Sequence, residues 1–192
     1  MPINLEQLEA FFVEAGLKYR LEDAGHLLTG FTTGSYEHDD GRPGVAVAVS
    51  VSEDGEFVEF TAPGLYDARR CRDPGKLFQA LLDITLRTKL VRFEHDPDDG
   101  EIRCTVSYPV EDGGLTRRQF RRMLEAIPRA VDRWHPVIRL AMEKGVVDLS
   151  AGLVETVSGA TKSAGEKNRL HDGRDTGESR GGRADRDRDR SA

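Results

Sequence analysis

Two cysteines in 192 residues exclude a disulfide framework. Cys71 and Cys104 stand far apart and neither belongs to a CxxC pair, so the simplest setting is a reducing cytoplasm. Long apolar runs are missing as well. No stretch approaches the ~18 consecutive apolar residues of a membrane helix, which argues against a membrane partner. The opening "MPINLEQLEAFFVEAG" mixes acids with its apolar residues and does not read as a signal peptide. Phosphate loops of the GxxxxGK[ST] and GxGxxG types are absent, as is a GxSxG nucleophile elbow. Net positive charge is lacking too, the formal charge being −6.

That charge is unevenly spread. From Ser158 onward nine Lys/Arg stand against seven Asp/Glu; the residues before it hold 19 against 27, a net of −8. An acidic body repels phosphate backbones at long range, so no nucleic-acid partner is expected. The stretch "GEKNRLHDGRDTGESRGGRADRDRDRSA" has almost no large apolar residue. It cannot bury enough surface to offset the entropy of ordering. The expectation is one folded domain over residues 1–149 and a disordered, mixed-charge tail over residues 150–192.

What is present reads as alternating helices and hairpins. Asn4 with Gln7 forms a capping-box pattern, and Leu5, Leu8, Phe12 and Ala15 recur at helical spacing, which predicts a first helix over Leu5–Ala15. A short strand is expected over Leu27–Phe31. In "VAVAVSVSEDGEFVEFTA" the valines alternate with small residues, "EDG" turns the chain, and Phe57–Thr61 returns antiparallel. Asp73 before Pro74 is a helix start, and a second helix is expected to run to about Lys89. A second hairpin follows, Leu90–Glu94 with Ile102–Tyr108. Thr116 with Gln119 is another capping box, and the stripe from Phe120 to Ala141 keeps phase through Pro128 and Pro136. One long third helix is predicted, kinked or briefly broken at the prolines.

Three features invite a chemical reading. "HDPDDG" concentrates acids, yet an EF-hand beginning at Asp96 would place Gly100 at a ligand position and Ser107 where a bidentate Glu is required. Asp96, Asp98 and Asp99 therefore read as a hairpin turn, with no metal expected. Cys71 lies among Arg69, Arg70 and Arg72, a setting that can lower a thiol's pKa, although a partly exposed loop cysteine is the plainer reading. "RRQFRRM" is basic, but it opens a helix whose other face is core, so a solvated face is expected there. The isolated His135 is read as solvated or capping.

The second helix is too apolar for a one-sided role. Ile84, Leu77, Leu81 and Phe78 span one face, and Leu82 with Leu86 widens the arc to roughly 200°, where about 100° suffices. The excess surface has two possible destinations: the protomer's own core, or a two-fold interface at Leu82 and Leu86.

The order α-β-β-β-α-β-β-α, an α+β fold with an antiparallel sheet packed with helices, resembles the type III secretion chaperone-like fold. More narrowly, the chain resembles the YbjN-like bacterial proteins. "FFVEAGLKYRLED", "VAVSVSEDGEFVEF", "KLFQALLDITLRTKLVRFEHDPDDGEI" and "SYPVEDGGLTRRQFRRMLEAI" carry the resemblance. The tail and Pro128 depart from it. The resemblance implies a cytoplasmic, non-enzymatic homodimer without cofactors, which binds a client or regulatory protein as a chaperone-like module or as a sensory transduction regulator. The alternative, from another class, is a small enzyme or metal-binding domain using the Asp96–Asp99 cluster or Cys71.

Overall fold

The computed structural model describes residues 2–22, 25–38 and 40–153. The tail expected to be disordered lies outside the described residues, apart from residues 150–153 at its start. The elements run α1 (Leu5–Glu14), β1 (Arg20–Leu21), β2 (Leu27–Phe31), β3 (Val45–Ser52), β4 (Phe57–Asp67), α2 (Pro74–Arg87), β5 (Arg92–His95), β6 (Glu101–Pro109) and α3 (Arg117–Lys144). The six strands form one sheet in the order β1-β2-β3-β4-β6-β5, and every neighbouring pair is antiparallel.

Strand alternation makes the core. Val45, Val47 and Val49 of β3, Val58, Phe60 and Ala62 of β4, and Ile102, Cys104 and Val106 of β6 are all buried on one sheet face. Onto this face α1 brings Leu8 and Phe12, and α3 brings Phe120, Leu124, Ile127, Val131 and Trp134. Phe12 and Phe60 both pack against the Phe120 ring. The opposite face carries Ala46, Ala48, Ser50, Thr61 and Ser107. At its β5–β6 end, Glu94 is held between Arg92 (2.5 Å) and Arg103 (3.2 Å).

Several boundaries differ from the expected ones. The two-residue β1 edges the sheet beside β2, too short to leave a periodic signal. β4 continues through Pro63 and Gly64 to Asp67, its register against β6 shifting between Ala62 and Tyr66. "APGLYD" reads as a strand end, but an irregularity absorbs the proline where no ladder bond is needed. α2 stops at Arg87, where Thr88 has extended backbone. α3 is a single helix across both prolines. Its apolar stripe packs on α2 and on the sheet, and that burial outweighs the backbone bonds that the prolines remove.

After α3, residues Leu149–Gly152 fold back over Trp134. A Cβ on Gly152 would lie 2.4 Å from the indole, so only glycine fits there. Arg133 donates from Nε to the Gly152 carbonyl at 2.9 Å, and its guanidinium lies over the indole ring.

Candidate interaction surface

Among the described residues the two most exposed large hydrophobic side chains lie on α2. Leu77, Ala80, Leu81 and Ile84 face the core. Leu82 and Leu86, one turn apart, are 72% and 81% exposed, and Leu90 just beyond the helix is 41% exposed. The half-buried Phe78 extends the row by another turn, its ring 4.8 Å from His95. The row therefore runs beside β5, the last strand of the sheet. Burial within the protomer, one of the two destinations open to Leu82 and Leu86, is not what the fold provides. α2 leans on α3 and β5 with one edge only, and its apolar arc is wider than that contact.

The acid-rich loop is a turn. Asp96 Oδ1 accepts from the Asp98 amide at 3.0 Å, and Asp99 Oδ1 accepts from the Glu101 amide at 2.9 Å. Gly100, at φ +79°, donates to the Asp96 carbonyl, and a Cβ there would lie 2.8 Å from Arg69 and Asp67. Two of the three carboxylates are turned back on their own backbone, as short acidic side chains in turns do. Among the described residues no group of three or more His, Cys, Asp and Glu is arranged to hold a metal ion. Titration calorimetry with calcium, magnesium and zinc is expected to show no tight binding. Affinity at the micromolar level that disappears in Asp98→Ala would make the loop a metal site.

Cys71 lies against backbone carbonyls. Its half-buried thiol points at the carbonyls of Asp73, Ala141 and Met142, at 3.4–3.9 Å, near the C-terminal end of α3. Arg69 turns away to Asp67. The other thiol, Cys104, is buried, and burial pushes its pKa up.

A polar cluster that no local pattern announces ties the β2–β3 loop to α3. Asp132 Oδ1 accepts from the backbone amides of Gly34, Ser35 and Tyr36. The buried Tyr36 donates its hydroxyl to the Leu65 carbonyl, and its ring meets the rings of Tyr66 and His135 edge-on. Tyr66 hydroxyl and His135 Nδ1 are 2.9 Å apart. Burial, then the neighbouring Tyr36, raises the Tyr66 pKa, so the phenol keeps its proton beside the imidazole. His135 is thus not the solvated histidine expected. Burial lowers its pKa to about 4, Arg139 adds to the effect, and Asp132 and Glu143 oppose it.

The folded pKa lies below the ordinary 6.5, so the unfolded chain binds the extra proton first, and stability is lost as pH falls from about 6.5 toward 4. Discounted for the part of the ring that solvent screens, the loss is about 1–2 kcal/mol. Denaturant titrations of the wild type and His135→Gln between those pH values should converge as pH falls. Parallel curves would show that His135 carries no such linkage.

Two open clefts, of about 530 and 460 Å³, flank the same loop. The four acids in the second are already engaged: Asp40 pairs with Arg42, Asp67 with Arg69, Glu101 accepts from the Gly64 amide, and Asp99 accepts from the Glu101 amide. The guanidinium partners hold the Asp40 and Asp67 carboxyls below the usual range. Among the described residues the two most exposed leucines are those of the α2 row.

The profile of the YbjN family, described as "Putative bacterial sensory transduction regulator", matches residues 4–140. The chain belongs to the YbjN family. Among solved structures it is similar to YbjN of E. coli at 15% identity and a TM-score of 0.48, over 70% of this chain and 92% of that one. Similar too are the ExsC–ExsE complex (15%, 0.48, 72% and 97%) and the HopA1–SchA chaperone–effector complex (14%, 0.43, 66% and 92%). No curated protein matches. The family match spans every strand and helix except the last turn of α3, and it includes the α2 row, the acidic turn and the Asp132 cluster.

Proposed function

We propose that this protein is a non-enzymatic, cytoplasmic protein-binding module, a chaperone-like or regulatory adaptor that works as a homodimer. The exposed row of Leu82, Leu86 and Leu90 carries the reading. Two adjacent leucines left in water cost the free protein ~1.5–3 kcal/mol each relative to burial, a cost that a partner surface removes. Membership of a family described in terms of sensory transduction supports a regulatory setting. The paired state of the acids around the loop clefts supports binding over catalysis.

The test uses the full chain in extract of its native cell. A partner identified on immobilised wild type, and bound again by that chain as a purified pair, supports an adaptor. Turnover of a small-molecule pool by the purified protein, abolished by Cys71→Ala or Asp98→Ala, would replace the reading with the enzymatic one.

A further inference from the structure

α3 concentrates positive charge where a helix tolerates it least. Residues 117–144 hold eight Lys/Arg against three acids, on a body whose net charge is −8. Arg117, Arg118, Arg121 and Arg122 occupy the first two turns, and no acid stands in the first. A helix N-terminus carries partial positive charge and favours acids. This local conflict wins nothing in the core, because all four side chains are exposed. A rule broken without a packing return points to an external role.

Partners inside the fold account for part of the charge only. Arg117 binds Glu14 at 2.7 Å, and Glu125 is shared by Arg121 and Arg129. Among the described residues Arg118 and Arg122 have no hydrogen-bond or ion-pair partner. They stand one turn apart and face outward together. A groove of about 330 Å³, lined by Ile3, Gln7, Ala10, Phe11, Glu14 and Leu115, lies between α1 and the segment that leads into α3.

We propose that the first two turns of α3 form a docking surface for a short acidic segment of a partner protein, one that also carries an apolar residue for the groove between α1 and the segment leading into α3. The inference rests on the protein-binding reading and adds the partner's chemistry on a surface separate from α2. Guanidinium forks match carboxylates in pairs. Six residues of helix span under ~10 Å, which suits a few acidic side chains. A nucleic-acid duplex is longer than the patch, and its flanks would meet the acidic body within a Debye length of ~10 Å. A short peptide can lie on α3 alone.

The probe is a fluorescent dodecapeptide of glutamates with two leucines, titrated by anisotropy against the full chain at low salt. Saturable binding that weakens with added salt is expected. Arg118→Glu with Arg122→Glu should weaken it by about tenfold or more. The same variant should melt no lower than the wild type, since acids now stand at the helix start. Arg118→Gln with Arg122→Gln serves as the second variant if the reversal fails to fold. No saturation, binding unchanged in both variants, or tighter binding of a DNA duplex of about 20 base pairs would each overturn the proposal. The oligomeric state, read separately by light scattering, is untouched by any of these results, so failure here leaves the α2 reading standing.

Discussion

Leu82→Asp combined with Leu86→Asp should convert a dimer into a folded monomer. Both side chains lie outside the protomer core, so two aspartates there meet water in the monomer and cost its fold little. In the proposed homodimer the same positions would meet their own copies across a two-fold axis. Four leucines per dimer contribute roughly 6–12 kcal/mol of gross burial. That is comparable with the ~4–15 kcal/mol cost of association, and the rest of the row, Phe78 and Leu90, supplies the surplus. Replacing the leucines removes this term and brings four carboxylates together at the contact. Light scattering at tens of micromolar should give twice the protomer mass for the wild type and the protomer mass for the variant, with an unchanged circular dichroism spectrum. A monomeric wild type would sink the interface. So would a variant that keeps the dimer.

The second large effect is expected at Asp132. One carboxylate oxygen accepts from three consecutive amides of the β2–β3 loop. Asp132→Ala leaves those donors without their acceptor, and hydrogen bonds to a charged group contribute ~1.5–3 kcal/mol each. The three share one oxygen and part of the loop can reach water, so the total should be about 3 kcal/mol rather than their sum. Asp132→Asn keeps an oxygen acceptor and should lose about half as much. Denaturant unfolding reads the totals, and hydrogen exchange at Gly34, Ser35 and Tyr36 locates them. An alanine variant as stable as the wild type, with those amides still protected, would show that the loop is held by the Tyr36 packing alone.

The local signals were legible because each is complete within a few residues. Asn4 with Gln7 and Thr116 with Gln119 form capping boxes, and Asp73 with Pro74 starts α2. Each of these is a bond between a side chain and backbone three residues away. The alternating valines of β3 and the Asp-rich turn are equally local. The width of the α2 apolar arc was legible too, as an excess of leucine over what one face can hide. The failure of the acid-rich loop to match the EF-hand spacing is equally local, since Gly100 has no side chain to give.

Other features depend on residues far apart in the chain. Asp132 and the amides it holds are separated by 96 to 98 positions. Tyr66 and His135 are 69 apart. No periodicity links them, and each looks from the sequence like an ordinary surface residue. β4 runs through a proline because β6 pairs with both sides of the irregularity. α3 runs through two prolines because the surfaces on either side of them are buried in one continuous core. The sequence by itself determined the order of the elements other than β1, their caps and turns, the acidic body and the apolar surplus on α2, because side-chain period and capping chemistry act over one or two turns. Only the tertiary structure decided that Leu82 and Leu86 face outward, that His135 lies against Tyr66, and that Arg118 and Arg122 stand without a partner among the described residues. Exposure and pairing are properties of what packs beside a residue, and at these positions its neighbours come from distant parts of the chain.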